Sequence, residues 1–133
     1  MVYELEITLR HIEPRVWRLF TVPATITLEQ LHEAIIIVMG WRGGHLWNFD
    51  INGTQHESPN AMEDGIGPEA NSVILLDAIS QKGRVFDYTY DWGDDWHHRI
   101  KLSNIRDLQA DECSPTILDG ANNWQRGDKN GGE

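Results

Sequence analysis

The chain has 133 residues, of which 40% are hydrophobic and 24% charged, a soluble globular composition at a length that supports one domain burying roughly two thirds of its unfolded surface. Its formal net charge of −10, without any run of Lys or Arg, weighs against direct binding to nucleic acid, whose phosphates are neutralised by clustered cations. Cys113 is the only cysteine, which excludes an intrachain disulfide and a cysteine-based zinc cluster and suits a reducing interior.

Tyr3, Leu5, Ile7 and Leu9 alternate with Glu4, Glu6 and Thr8, the period of a half-buried strand. A second strand is predicted over 16–22 after a turn holding Pro14, paired so that Leu9 meets Trp17 and Ile7 meets Leu19. Pro23 closes it. Thr27-Leu28-Glu29-Gln30 has the capping-box pattern, and Leu28, Leu31, His32, Ile35 and Met39 then share one helical face. Ile36, Ile37 and Val38 widen that face, predicting burial on two sides before Gly40 ends the helix. His45, Trp47, Phe49 and Ile51 alternate as a strand, and Asn52-Gly53 is the preferred type I′ turn leading back through Thr54 to His56. Residues 57–71 read as a long loop, and 72–80 as a short helix with Val73, Leu76 and Ile79 inward.

Phe86, Tyr88 and Tyr90 alternate one way, and Trp96, His98, Ile100 and Leu102 do the same. Pairing Tyr90 with Trp96 sets Tyr88 opposite His98, Phe86 opposite Ile100 and, on the other face, Asp87 opposite Arg99 as a favourable ion pair. Both faces agree only if the hairpin loop has an odd number of residues, here Asp91 to Asp95. The expected fold is a single α+β domain in hairpin-helix-hairpin order, with a mostly antiparallel or mixed sheet packed against helices. Residues 1–105 form its core, and 106–133 form a polar, partly flexible arm. Met1 leads into a strand rather than a signal peptide, and the apolar run 34–39 is far shorter than the ~20 residues that span a bilayer. The expected location is cytoplasmic, without membrane contact.

Three carboxylates, Asp91, Asp94 and Asp95, crowd the predicted hairpin tip, flanked by Tyr90, Trp92 and Trp96. His32, His45 and His98 fall on faces predicted to point inward. Two readings fit. Imidazole and carboxylate together suit a divalent metal, with His32, His45, His98 and Asp91 as ligands and Asp91, Asp95 and His98 as candidate acids or bases. Asp and Gly at a turn also serve the backbone, and a histidine on an apolar face is commonly a core residue bonded to a carbonyl. The spacing matches neither His-Glu-x-x-His nor a calcium loop. Trp17, Trp47 and Trp96 are expected in the core. Trp41 and Trp92, if exposed, would form with His45, Asp94 and Asp95 an amphipathic rim for a protein partner or small ligand.

The ordered motifs Arg15-Val16-Trp17-Arg18, Thr27-Leu28-x-x-Leu31-His32, Gly40-Trp41-x-x-x-His45-Leu46-x-x-Phe49 and Tyr88-x-Tyr90-Asp91-Trp92-Gly93-Asp94-Asp95-Trp96-x-His98 resemble the plasmid pRiA-type Orf-three-like family over about residues 3–105. That resemblance implies a compact α+β domain associated with plasmids and transposable elements, with no established activity. It maps the family's signature polar residues onto His32, His45, Asp91, Asp94, Asp95 and His98. The tail departs from the family pattern, keeping Asp119-Gly120 and Asn130-Gly131-Gly132 without its cysteines or Pro-Pro. The expected function is a non-catalytic binding or accessory module using the acidic, aromatic hairpin tip. The alternative is a hydrolase-like metalloenzyme using His32, His45, His98 and the three carboxylates.

Overall fold

The computed structural model describes residues 1–58, 70–91 and 95–123. Its elements are β1 (Val2–Leu9), β2 (Val16–Pro23), α1 (Leu28–Met39), β3 (Trp47–Ile51), β4 (Thr54–Glu57), a 3-10 turn (Ala70–Ser72), α2 (Leu75–Ala78), β5 (Val85–Tyr90), β6 (Trp96–Arg106) and β7 (Thr116–Ala121). The seven strands form one sheet in the order β4-β3-β5-β6-β1-β2-β7, with every neighbouring pair antiparallel.

This corrects the expectation of an α+β domain with a sheet packed against helices: the fold is dominated by antiparallel sheet, and α1 is its one helix of substantial length among the described residues. Two segments account for the difference. The predicted helix over 72–80 shrinks to the single turn α2, because Ile74 is drawn into a bridge with Thr27 and no side chain caps the helix start. The segment read as a polar arm instead supplies β7, which pairs with β2 from Trp17–Ala121 to Thr21–Thr116.

α1 starts and stops as its sequence dictates. The Thr27 hydroxyl accepts from the Gln30 backbone N–H while the Gln30 side chain accepts from that of Thr27, and Gly40 closes the helix at φ 78°. Leu28, Leu31, Ala34, Ile35, Val38 and Met39 are buried against the inner face of the sheet, with Tyr3, Leu5, Ile7, Phe20, Phe49, Tyr88 and Ile100 beneath. Ile37, expected inside, is 79% exposed. Only one side of α1 meets the sheet, so the fourth apolar residue of the run 34–38 has nothing to cover it. Tyr3 Oη donates to Ile79 O at 2.7 Å, tying the segment after α2 to the same face.

The first hairpin differs from its predicted register by one residue: Leu9 pairs with Val16, Thr8 with Trp17 and Ile7 with Arg18. β2 carries apolar residues in both phases, so alternation alone is ambiguous. The packed phase is Val16, Phe20 and Val22, while Trp17 turns to the outer face, where the Arg15 guanidinium lies 5.0 Å above its ring. Arg18 follows the inner phase but sits at the β7 border, where Nη1 donates to the carbonyls of Trp17 and Ala121 and Nη2 donates to Asn123 Oδ1.

β7 can lie this close because residue 120 is glycine. A Cβ there would come within 2.8 Å of both Trp17 O and Arg18 Cδ. The chain between β6 and β7 is held by Arg106, whose Nε donates to Glu4 at 2.5 Å and whose Nη1 and Nη2 donate to the two Glu112 oxygens at 2.8 and 2.6 Å.

Candidate functional site

The β5–β6 hairpin and the glycine-rich loop after α1 build one end of the inner face. The hairpin register is the one expected: Tyr90 pairs with Trp96, Tyr88 with His98, Phe86 with Ile100 and Asp87 with Arg99. The five-residue turn begins and ends on aspartates in the left-handed region, Asp91 at φ 61° and Asp95 at φ 56°, and is closed by Asp95 N donating to Asp91 O at 2.6 Å. Trp92, Gly93 and Asp94 lie outside the described residues, as do 59–69 of the predicted loop and 124–133 of the arm.

Gly40 turns the chain out of α1, and the following loop lays Trp41 across the hairpin end. Its indole is 5.6 Å from the Tyr90 ring and 4.9 Å from that of Trp96, and meets His98 edge-on. Trp41 is thus buried, 7% exposed, and supports this end of the fold rather than forming its surface. The loop returns through Leu46, whose carbonyl accepts from Asp91 N at 2.8 Å, and enters β3 at Trp47.

His98 is fully buried, and its bonded partners fix its tautomer. An indole N–H can only donate, so at 3.2 Å from Trp41 Nε1 the His98 Nε2 atom accepts. A carbonyl can only accept, so His98 Nδ1, 3.2 Å from Tyr88 O, carries the proton. Tyr88 continues the network from its other end, its hydroxyl 2.7 Å from His32 Nδ1. Burial raises the phenol well above its usual value and pulls His32 down to about 4, so near neutrality the phenol keeps its proton and the imidazole is neutral. His32 in turn lies flat on Trp47. The chain Trp41–His98–Tyr88–His32 crosses the core from the hairpin end to α1.

The structure therefore does not gather the three predicted histidines around one point. His32 and His98 reach the same tyrosine through different atoms, whereas His45 stands apart, half-exposed, edge-on to Tyr90 and with Nδ1 3.7 Å from Asp91 Oδ1. Among the described residues no group of three or more His, Cys, Asp or Glu side chains is placed to hold a metal ion. Asp95 is exposed beside the base of the tip. Thus the described surface at this end includes His45, Leu46, Asp91 and Asp95, carried on the buried rings of Trp41, Tyr90 and Trp96.

The sequence reading placed Tyr90 inward without singling it out as a site residue, and it missed the pair His56 and Ser58. Tyr90 Oη is buried without a well-formed hydrogen bond. Burial raises its phenol, with the Gly43 backbone N–H opposing and Asp91 adding to the rise. His56 and Ser58 follow each other on the inner side of β4 and its extension, 6% and 4% exposed, with His56 Nδ1 and Ser58 Oγ lacking partners. Burial lowers the His56 ring, against the pull of Asp50. The alternation of Phe49 across from β4 could have placed His56 inside, since the two pair directly.

No described helix is long and apolar enough to cross a membrane. A family model described as plasmid pRiA4b ORF-3-like protein matches residues 1–132. The uncharacterized protein y4hQ of Sinorhizobium fredii (strain NBRC 101917 / NGR234) is 43% identical over 103 residues, covering 76% of this chain and 53% of the relative, so the chain spans about half that protein's length. The crystal structure of a protein of unknown function, MM3350 from Methanosarcina mazei Go1, matches with a TM-score of 0.79 and 28% identity over 90% of this chain and 68% of that one.

Proposed function

This chain belongs to the plasmid pRiA4b ORF-3-like family, and on that premise we propose that it is a binding module whose contact surface is the β5–β6 hairpin end. The observation that carries this reading is the half-exposed pair of His45 and Asp91, 3.7 Å apart, mounted on the buried Trp41, Tyr90 and Trp96 rings. A rigid aromatic base holds the pair in one arrangement, which lowers the ordering cost a partner would otherwise meet. The pair and Asp95 present hydrogen-bond acceptors and negative charge, so the matching partner presents donors or a cation. His32 and His98 support the surface from within, because their bonded ring nitrogens already serve the fold.

The test is site-specific photocrosslinking in cells, with a benzophenone amino acid at position 45 and, as control, at the exposed position 101 on β6. The expected result is a discrete adduct from position 45 alone, lost when Asp91 and Asp95 are both replaced by Asn. Equal labelling from both positions would overturn the reading. So would a stoichiometric divalent metal in the untagged protein that is lost with His45→Ala, which would favour a metalloenzyme.

A further inference from the structure

A second surface lies at the β7 edge of the sheet, where α1 passes β7. Ala34, Ile37 and Val38 of the helix face Pro115, Thr116 and Ile117 across a groove of about 470 Å³, the size that takes one or two large side chains. Its floor is covered, with Ala34 and Val38 each 8% exposed, while its walls stand in solvent, with Ile37 79% and Ile117 52% exposed. An isolated exposed apolar residue is ordinary, but walls from two elements around an apolar floor make a contiguous patch of the kind that marks an interaction site.

The charge around the groove says what fits it. One turn before Ile37 on the same side of the helix is Glu33, and one turn earlier is Glu29. α1 contains no Lys or Arg, and among the described residues neither glutamate forms an ion pair. The whole chain carries a formal charge of −10, so a second copy would bring like charge to an acidic border.

We propose that this groove docks a basic amphipathic segment of a protein partner. An apolar side chain of that segment enters between Ile37 and Ile117, and its Lys or Arg side chains meet Glu33 and Glu29. The surface is distinct from the hairpin end and does not depend on the role proposed there.

The probe is a synthetic amphipathic Leu/Lys peptide, titrated against the full chain by fluorescence anisotropy and by methyl NMR of the isoleucines. Binding is expected to perturb the Ile37 and Ile117 methyls, to weaken with salt, and to fall about tenfold in Ile37→Gln, the loss of one buried aliphatic contact. Ile37 is so exposed that this variant keeps the fold. Glu33→Gln weakens binding while leaving the apolar contact in place, and the matching Leu/Glu peptide does not bind. Unchanged affinity in both variants, equal binding of the Leu/Glu peptide, or methyl shifts away from the groove would each overturn the proposal. A dimer in sedimentation equilibrium that dissociates in Ile37→Gln would also overturn it, by naming a second copy as the occupant.

Discussion

The imidazole of His32 lies flat against the indole of Trp47, with ring centroids 4.1 Å apart and planes within 10° of parallel. This stack, together with the Tyr88 hydroxyl on Nδ1, admits the neutral ring, and burial holds His32 at about 4 against 6.5 outside the fold. Below 6.5 the unfolded chain takes up a proton that the folded chain refuses. Stability is therefore fully present above pH 6.5 and declines as pH falls to about 4. We predict a loss of about 2 kcal/mol across that window, after allowing for the partial exposure of the ring. Denaturant midpoints measured across the window check it, and the slope shared with His32→Gln would sink it.

Trp41→Phe keeps most of the ring packing at the hairpin end but removes the indole N–H that His98 Nε2 accepts. The buried nitrogen loses that donor, so we predict a destabilisation of about 1–3 kcal/mol. A double-mutant cycle with His98→Leu measures the coupling. If the two losses simply add, the 3.2 Å contact carries no energy of its own.

Gly120→Ala places a methyl 2.8 Å from the Trp17 carbonyl, a backbone atom that cannot swing aside. β7 should shift off β2, and amide exchange should accelerate over Thr116–Ala121 while β1 and β6 keep their protection. Unchanged exchange in β7 would show that the pairing absorbs the added methyl and that the close approach does not require glycine.

Glu112 accepts two bonds from Arg106 and one from the Gln109 backbone N–H, and these hold its carboxyl at about 2 rather than 4.5. Because the folded value is depressed, the contribution to stability is present above 4.5 and is lost as pH falls toward 2. In a carboxyl NMR titration Glu112 should titrate near 2, and in Arg106→Met it should return toward the usual carboxylate range. Titration of Glu112 at its ordinary value in the unaltered protein would refute the assignment.

What could be read from the residues depended on how many independent constraints each segment carried. The β5–β6 register was legible because the inward rings and the outward Asp87–Arg99 pair each demand the same loop length. β2 was not, since Trp17 and Leu19 compete with Val16, Phe20 and Val22 for the inner phase, and only the packing of α1 decides between them. β7 was hidden for a different reason. It is an edge strand with a bulge between its pairings to Leu19 and Phe20, and from Ile117 onward it is exposed, so it shows no alternation. At the site, alternation placed Tyr88 and His98 together, but nothing periodic runs through the loop holding Gly43 and Gly44, at φ 84° and 85°, that carries Trp41 onto His98.

The two aspartates that bound the hairpin turn were first notable for their charge, yet each occupies a backbone conformation that few side chains tolerate. Handedness is thus the first filter on what may stand there. Asn or Gly can replace either one without bending the chain, whereas a β-branched substitute would distort the turn whatever its polarity. A scan that replaces both with valine would report on the shape of the turn, and only the exchange to Asn separates its architecture from its electrostatics.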